Sequence, residues 1–170
     1  EGWVVKGTEI AISKGSDFGF YNTSGFLGDS FLSTYTPNST NGDRGLVEVS
    51  SQVFQIEERF INFLISGGDY PNKTSINLLV DNTVVRSSTG DGTDEMKWAV
   101  WDVKEFLGKN AYIQVVDNST IGSYGHINCD HILFSNIPMI SGREHANWLD
   151  YGSDYYAVRT YRDYDRVEDR

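Results

Sequence analysis

Hydrophobic and polar positions alternate along most of this chain with the two-residue period of half-buried strands, and turn signals interrupt the alternation about every dozen residues. The pattern is strongest over residues 58–90. Phe60, Ile61, Phe63, Leu64 and Ile65 make a run rich in aromatic and β-branched residues. Ser66-Gly67-Gly68 breaks it, and Asp69-Tyr70-Pro71-Asn72 extends the loop. Residues 75–80 are a second run; Asp81-Asn82-Thr83 predicts a tight turn, and residues 84–88 return from it. Upstream, strands are expected within 1–12, over 29–35 and over 46–56, separated by loops at 15–28 and 36–45. Downstream, residues 96–103, 111–117 and 126–134 continue the series. Trp98 and Trp101 fall on opposite faces of a regular strand, so at least one belongs to the core. Residues 103–107 allow one helical turn, capped by Asp102 and closed by Gly108. Helical periodicity is otherwise nearly absent. The expectation is an all-β, antiparallel β-sandwich of jelly-roll or concanavalin-like type over residues 1–138. Residues 139–170 differ in character and predict a connector and a short C-terminal β-hairpin over 148–161, ahead of a charged end.

Length and charge narrow the functions. A chain of 170 residues has room for a sizeable core. Aromatic residues make up 14% of it, enough for stacked sheets and for a surface that stacks on sugars or bases. The net charge of −10 decides between those ligands, because an acidic protein repels phosphate backbones and anionic membranes. No nucleic acid and no membrane is expected as a partner. Cys129 is the single cysteine, so an internal disulfide and a cysteine metal site are excluded; its apolar setting predicts a buried small hydrophobe. No stretch approaches the length of a membrane span, no signal peptide opens the chain, and both ends are abrupt, as in a piece of something longer. Asn-X-Ser/Thr sequons at Asn22, Asn38, Asn72 and Asn118 lean toward an extracellular, secreted glycoprotein.

Several blocks carry a resemblance, in order along residues 25–138. GDSFLSTY, INFLISGG, INLLVDNTVVRSSTG, MKWAVWDV and GHINCDHILFS are similar to the β-sandwich modules attached to fructan-degrading enzymes, grouped as carbohydrate-binding module family 66 and related domains. The resemblance implies a sandwich that binds the terminal fructosyl unit of levan- or inulin-type fructans. The tail, LDYGSDYYAVRTY, resembles a segment of the catalytic propeller of glycoside hydrolase family 32, which covers levanases, inulinases and invertases. The implied partners are a fructan or terminal fructose, and a hydrolase catalytic domain in the same polypeptide or complex. Retaining hydrolases of that kind need a nucleophilic carboxylate and a carboxylic acid across the scissile bond. The resemblance places them in Asn-Asp-Pro and Glu-Cys segments with an Arg-Asp-Pro stabiliser, and this chain has none of these. It is expected to be non-catalytic alone, its parent being a family 32 fructosidase. The alternatives are a structural insert packed on a family 32 domain without binding sugar, or a fragment of the parent enzyme.

A fructofuranose offers vicinal hydroxyls and little apolar face, so its pocket needs planar charged groups and one aromatic wall. The candidates are Asp29 after the first glycine-rich loop, Arg86 amid apolar neighbours on a returning strand, Glu95 and Trp98 after the polar loop GDGTDE, and Tyr124 and His126 around Gly125. Plainer roles stand beside these: Asp29 as a loop cap, Arg86 in a surface salt bridge, Trp98 in the core, His126 bonded to Asp130 or a backbone carbonyl. No strained Gly-X-Ser-X-Gly turn supports a serine hydrolase. Asp130 and His131 resemble a metal pair, but strand neighbours face opposite ways. No cofactor and no metal site is implied, although the acidic loop at 90–95 has the composition for a structural calcium.

Overall fold

The computed structural model describes residues 2–7, 11–14, 23–35, 43 and 46–140, with only the backbone path at 11–14. The expected C-terminal hairpin and the sequons at Asn22 and Asn38 lie outside the described residues. Contacts gather into one unit over Glu1–Pro138 and another over Met139–Arg170; the first is the subject below.

Among the described residues, eleven strands form two antiparallel sheets. They are β1 (Val4–Gly7), β2 (Ala11–Lys14), β3 (Ser30–Ser33), β4 (Val47–Ser50), β5 (Phe54–Gln55), β6 (Phe60–Gly67), β7 (Thr74–Val80), β8 (Thr83–Ser88), β9 (Thr93–Asp102), β10 (Asn110–Asp117) and β11 (Ile127–Ser135). The first sheet runs β1-β4-β10-β7-β8, with β5 also on β10; the second runs β2-β3-β11-β6-β9. The all-β antiparallel sandwich read from the alternation is the fold.

The stretch at 58–90 is wired differently from a pair of hairpins. β7 and β8 do pair, across a turn in which Asp81 (φ 51) and Asn82 (φ 60) both take the left-handed conformation that primed hairpin turns require. β6 crosses to the other sheet, where it lies between β11 and β9. That central place explains why its residues are buried from Ile61 to Gly67 rather than alternately.

The core sits between the sheets: Ile61, Phe63, Trp101 and Ile127 from one, Val49, Ile76, Leu78 and Ile113 from the other. Trp101 is 5% exposed, packs edge-on to Phe63 at 4.6 Å, and donates from Nε1 to Ser88 Oγ in the opposite sheet at 2.9 Å. Trp98 leaves the same strand on the other side and joins a second cluster of Phe31, Leu64 and Met96 on the outer face of the second sheet. Cys129 is buried, as expected for a small hydrophobe. A single 3-10 turn, Lys104–Phe106, follows β9; Asp102 Oδ1 accepts from the Lys104 N–H at 3.1 Å, and Gly108 takes φ 82 just beyond.

Arg86 fastens one open side of the sandwich. β8 and β9 are the edge strands of different sheets. From β8, Arg86 donates through Nε and Nη2 to the backbone carbonyl of Asp102 at 3.1 and 2.7 Å, and its Nη2 meets Glu105 Oε1 at 2.5 Å. Its guanidinium also lies over the Phe106 ring, 5.2 Å from the centroid. The Glu105 partner is more than half exposed, so that ion pair contributes little; the paired bonds to a carbonyl matter more. Arg86→Ala should lower stability by about 1–2 kcal/mol, read as a shift in the urea midpoint, because the Asp102 carbonyl loses both donors.

Candidate functional site

Two regions of the second sheet bring together residue types suited to a ligand. The first is the end of the sandwich where the loops after β6, before β9 and before β11 meet. Their backbones approach closely: a Cβ on Gly68 would strike the Tyr124 carbonyl, and one on Gly125 would strike those of Ile121 and Asp43. This packing sets the β-sheet entry of His126. Its ring is 2% exposed and lies between two carboxylates, Nδ1 at 2.6 Å from Asp43 Oδ1 and Nε2 at 3.0 Å from Asp94 Oδ1. Two carboxylate partners call for two N–H donors, so the ring is an imidazolium. Burial by itself pulls its pKa down; the hydrogen bonds to Asp43 and then Asp94, with their charges, reverse that and hold it at about 9. Asn128 links Ser66 and the same Asp94 oxygen, at 3.1 and 3.5 Å.

Asp117 closes this end from the first sheet. It is 2% exposed, and burial pushes its carboxyl up to about 6, tempered by hydrogen bonds from Thr34 and the Ser119 N–H. Above the charged cluster stands Tyr124. Its backbone is left-handed (φ 51), the residue is 37% exposed, and its ring centroid lies 6.2 Å from that of His126.

The second region is the outer face of the sheet. Asp94, Met96 and Trp98 share one face of β9, beside Leu64 of β6 and Phe31 of β3. The segment after Thr23 runs along the edge of β9, with a parallel bridge between Ser24 and Glu95, and then crosses this face, where the Leu27 N–H donates to Asp130 Oδ2 at 2.9 Å. Trp98 meets His131 edge-on at 5.7 Å. The alternation rule fails here. β11 has a β-bulge between Asp130 and Leu133, and His131 is left-handed (φ 50), so both Asp130 and His131 reach the region beside Trp98 and Leu27. Among the described residues, no group of three or more His, Cys, Asp or Glu gathers around one point in a way that would hold a metal.

The six residues singled out in the sequence do not form one cup. His126 and Tyr124 stand together, with Asp94 binding the histidine and exposed Glu95 next along β9. Trp98 lies further along the same strand, in the apolar patch. Asp29 is exposed in the turn that leads into β3. Arg86 is elsewhere: it grips the carbonyl of Asp102, seven residues along β9 from Glu95 and therefore roughly 23 Å away. It lines an open hollow with Asp102, Lys104 and Glu105.

His126 does not bond Asp130. The two are four residues apart on one strand, roughly 13 Å, too far for a side-chain contact. The carboxylates of the 90–95 loop also diverge. Asp91 binds the Lys97 ammonium at 2.6 Å, Glu95 stands 3.9 Å from that ammonium, and Asp94 is taken by His126. The Lys97 hydrogen bond and that of Thr93 hold the Asp91 carboxyl below its ordinary range.

Asp43, Asn128 and Ser66 escape sequence reasoning. Asp43 lies 83 positions from the histidine it binds, and no local spacing announces such a pair.

No protein-family profile matches the chain. It is 37% identical over 167 residues to a protein of Aspergillus rugulosus named "Putative glycosyl hydrolase ecdE"; the match takes in 97% of this chain but only 23% of that relative's length. Solved structures similar to it include TmCBM61 in complex with β-1,4-galactotriose, at TM-score 0.46 and 14% identity, covering 78% of this chain and 88% of that one. Another is the CBM51 module from Clostridium perfringens GH95 in complex with methyl-galactose, at TM-score 0.40 and 18% identity, covering 76% and 90%. A third is the secreted serine protease VesC from Vibrio cholerae, at TM-score 0.41 and 8% identity, covering 68% and 23%.

Proposed function

We infer that this chain is a non-catalytic carbohydrate-binding sandwich of a glycosyl hydrolase, and that it holds the end of a sugar chain at the loop end beside Tyr124. The observation that carries this is an exposed aromatic ring beside a buried His126–Asp94–Asn128 cluster whose Asp94 carboxylate stays 14% exposed. An exposed ring beside a polar base offers one apolar wall and nearby acceptors for hydroxyls, which is what a sugar needs. The 37% identity to a segment of a protein named as a glycosyl hydrolase supports the association with a hydrolase domain.

The finer reading is a fructan of levan or inulin type, with residues 1–138 as the module and 139–170 as its connector to a family 32 fructosidase. It rests on the resemblance of the blocks quoted above. An extracellular setting is supported by the sequons at Asn72 and Asn118, which are exposed. The alternative, a structural insert that packs on the hydrolase and binds nothing itself, draws on Arg86 and His126 being bonded within the chain.

Titration calorimetry with levan, inulin, fructose and an unrelated glucan separates these. Saturable heat with a fructan alone is the expected result, and Tyr124→Ala should weaken it roughly tenfold by removing the aromatic wall. Binding of every polysaccharide alike removes the fructan assignment; no heat with any of them leaves the insert.

A further inference from the structure

The second sheet opens between β3 and β11. These strands are in register only at Ser33–Asn128 and Leu32–Cys129, and past Cys129 the bulge carries β11 out of step. Between the parted strands and β1 lies a cavity of about 620 Å³. Its accessible floor is hydrocarbon, from Leu32 and Ile132 of the second sheet and Trp3 and Val5 at the edge of the first; Val49, Val115 and Cys129 are packed beneath. Its rim carries Asp130 and His131. The Trp3 indole is 39% exposed, and Asp130 spends one oxygen on the Leu27 N–H.

We propose that this cavity binds the hydrocarbon part of an amphiphilic small molecule, an alkyl chain whose hydroxyl-bearing head stays at the rim by Asp130 and His131. The volume lies within the range of small-molecule sites. Water in such a floor finds too few polar partners, so hydrocarbon entering it is favoured. A polyhydroxylated ring would leave its hydroxyls unbonded against that hydrocarbon, so the floor is unsuited to a sugar and the rim is where a polar head belongs. His131 joins this rim to Trp98 on the outer face, which gives such a head an aromatic neighbour. The site stands independently of the sugar-binding reading.

The test is calorimetric titration of the full chain, below micelle-forming concentrations, with butyl, hexyl and octyl β-D-glucoside and with 1-butanol, 1-hexanol and 1-octanol. Each added methylene should tighten saturable binding roughly fourfold until the cavity is full. Val5→Trp, on the exposed outer strand that also lines the cavity, should erase that dependence while leaving the melting temperature nearly unchanged. Affinity that ignores chain length in both series overturns the proposal, and so does a slope that survives in the Val5→Trp variant. A slope among the alkanols upholds it whether or not any fructan binds.

Discussion

Replacing His126 with alanine should cost on the order of 3–5 kcal/mol of stability, among the largest effects of any single substitution in this chain. The loss comes less from the missing ring than from what it leaves behind. Asp43 and Asp94, 6% and 14% exposed, would be left without their shared hydrogen-bond partner and counter-ion, and with Asp117 packed nearby. The same cluster fixes a pH dependence. His126 titrates near 9 in the folded chain, above the 6.5 of an ordinary histidine. The folded state therefore holds the proton more tightly, and the stabilisation is complete below pH 6.5 and disappears as pH rises toward 9. Its size is on the order of 3 kcal/mol. Asp117, at about 6 against an ordinary 3.8, acts in the same direction over a lower window: its contribution is present below 3.8 and fades as pH rises through 6. Thermal melts from pH 5 to 9.5 should thus show a falling midpoint, with the steepest fall above 6.5. A His126→Ala variant that melts with the same slope above 6.5 would remove the imidazolium from this account. Asp91, Asp102 and Glu105 are shifted downward by their basic partners and act oppositely in acid, but they sit at the surface, where solvent screens the effect.

Trp101→Ala should cost about 3–5 kcal/mol, seen as a large drop in the urea midpoint with the slope of the transition preserved. The indole fills the space against Phe63 and supplies a bond to Ser88 across the sandwich. Trp101→Phe keeps most of the volume and loses the N–H, so it should cost clearly less, with the Ser88 hydroxyl left to water. If both variants cost the same, the hydrogen bond rather than the packing dominates. Trp98→Ala makes the internal comparison: only partly buried on the outer face, it should matter less to folding than its neighbour three residues on.

Those two tryptophans show what the sequence could and could not deliver. Alternation along one strand put them on opposite faces, so at least one had to enter the core; that it is Trp101 and not Trp98 comes from the packing. The tight turn at Asp81-Asn82-Thr83 was legible too, and the structure makes Asp81 and Asn82 both left-handed, as a primed turn requires. What alternation cannot encode is the sheet a strand joins. β6 was adjacent to β7 in sequence, yet it pairs β9 and β11, since the six-residue loop between them carries the chain across the core. The candidate cluster was legible by residue type and not by partner. Tyr124 and His126, read from the loop around Gly125, do stand together, but Arg86 was grouped with them because nothing in a one-dimensional pattern measures the length of β9. The bulge that turns His131 toward Trp98 left no glycine or proline to mark it.

The short parallel bridge from Ser24 to Glu95 also guards the molecule against its own kind. β9 is ten residues long and ends the second sheet, so its unpaired amides would be a template for a neighbouring chain. The Ser24 backbone occupies that template through Asp94 and Met96 near one end, while the guanidinium of Arg86 takes the last carbonyl at the other. With both ends stoppered, strand-to-strand fibril growth has no clean rail along which to start.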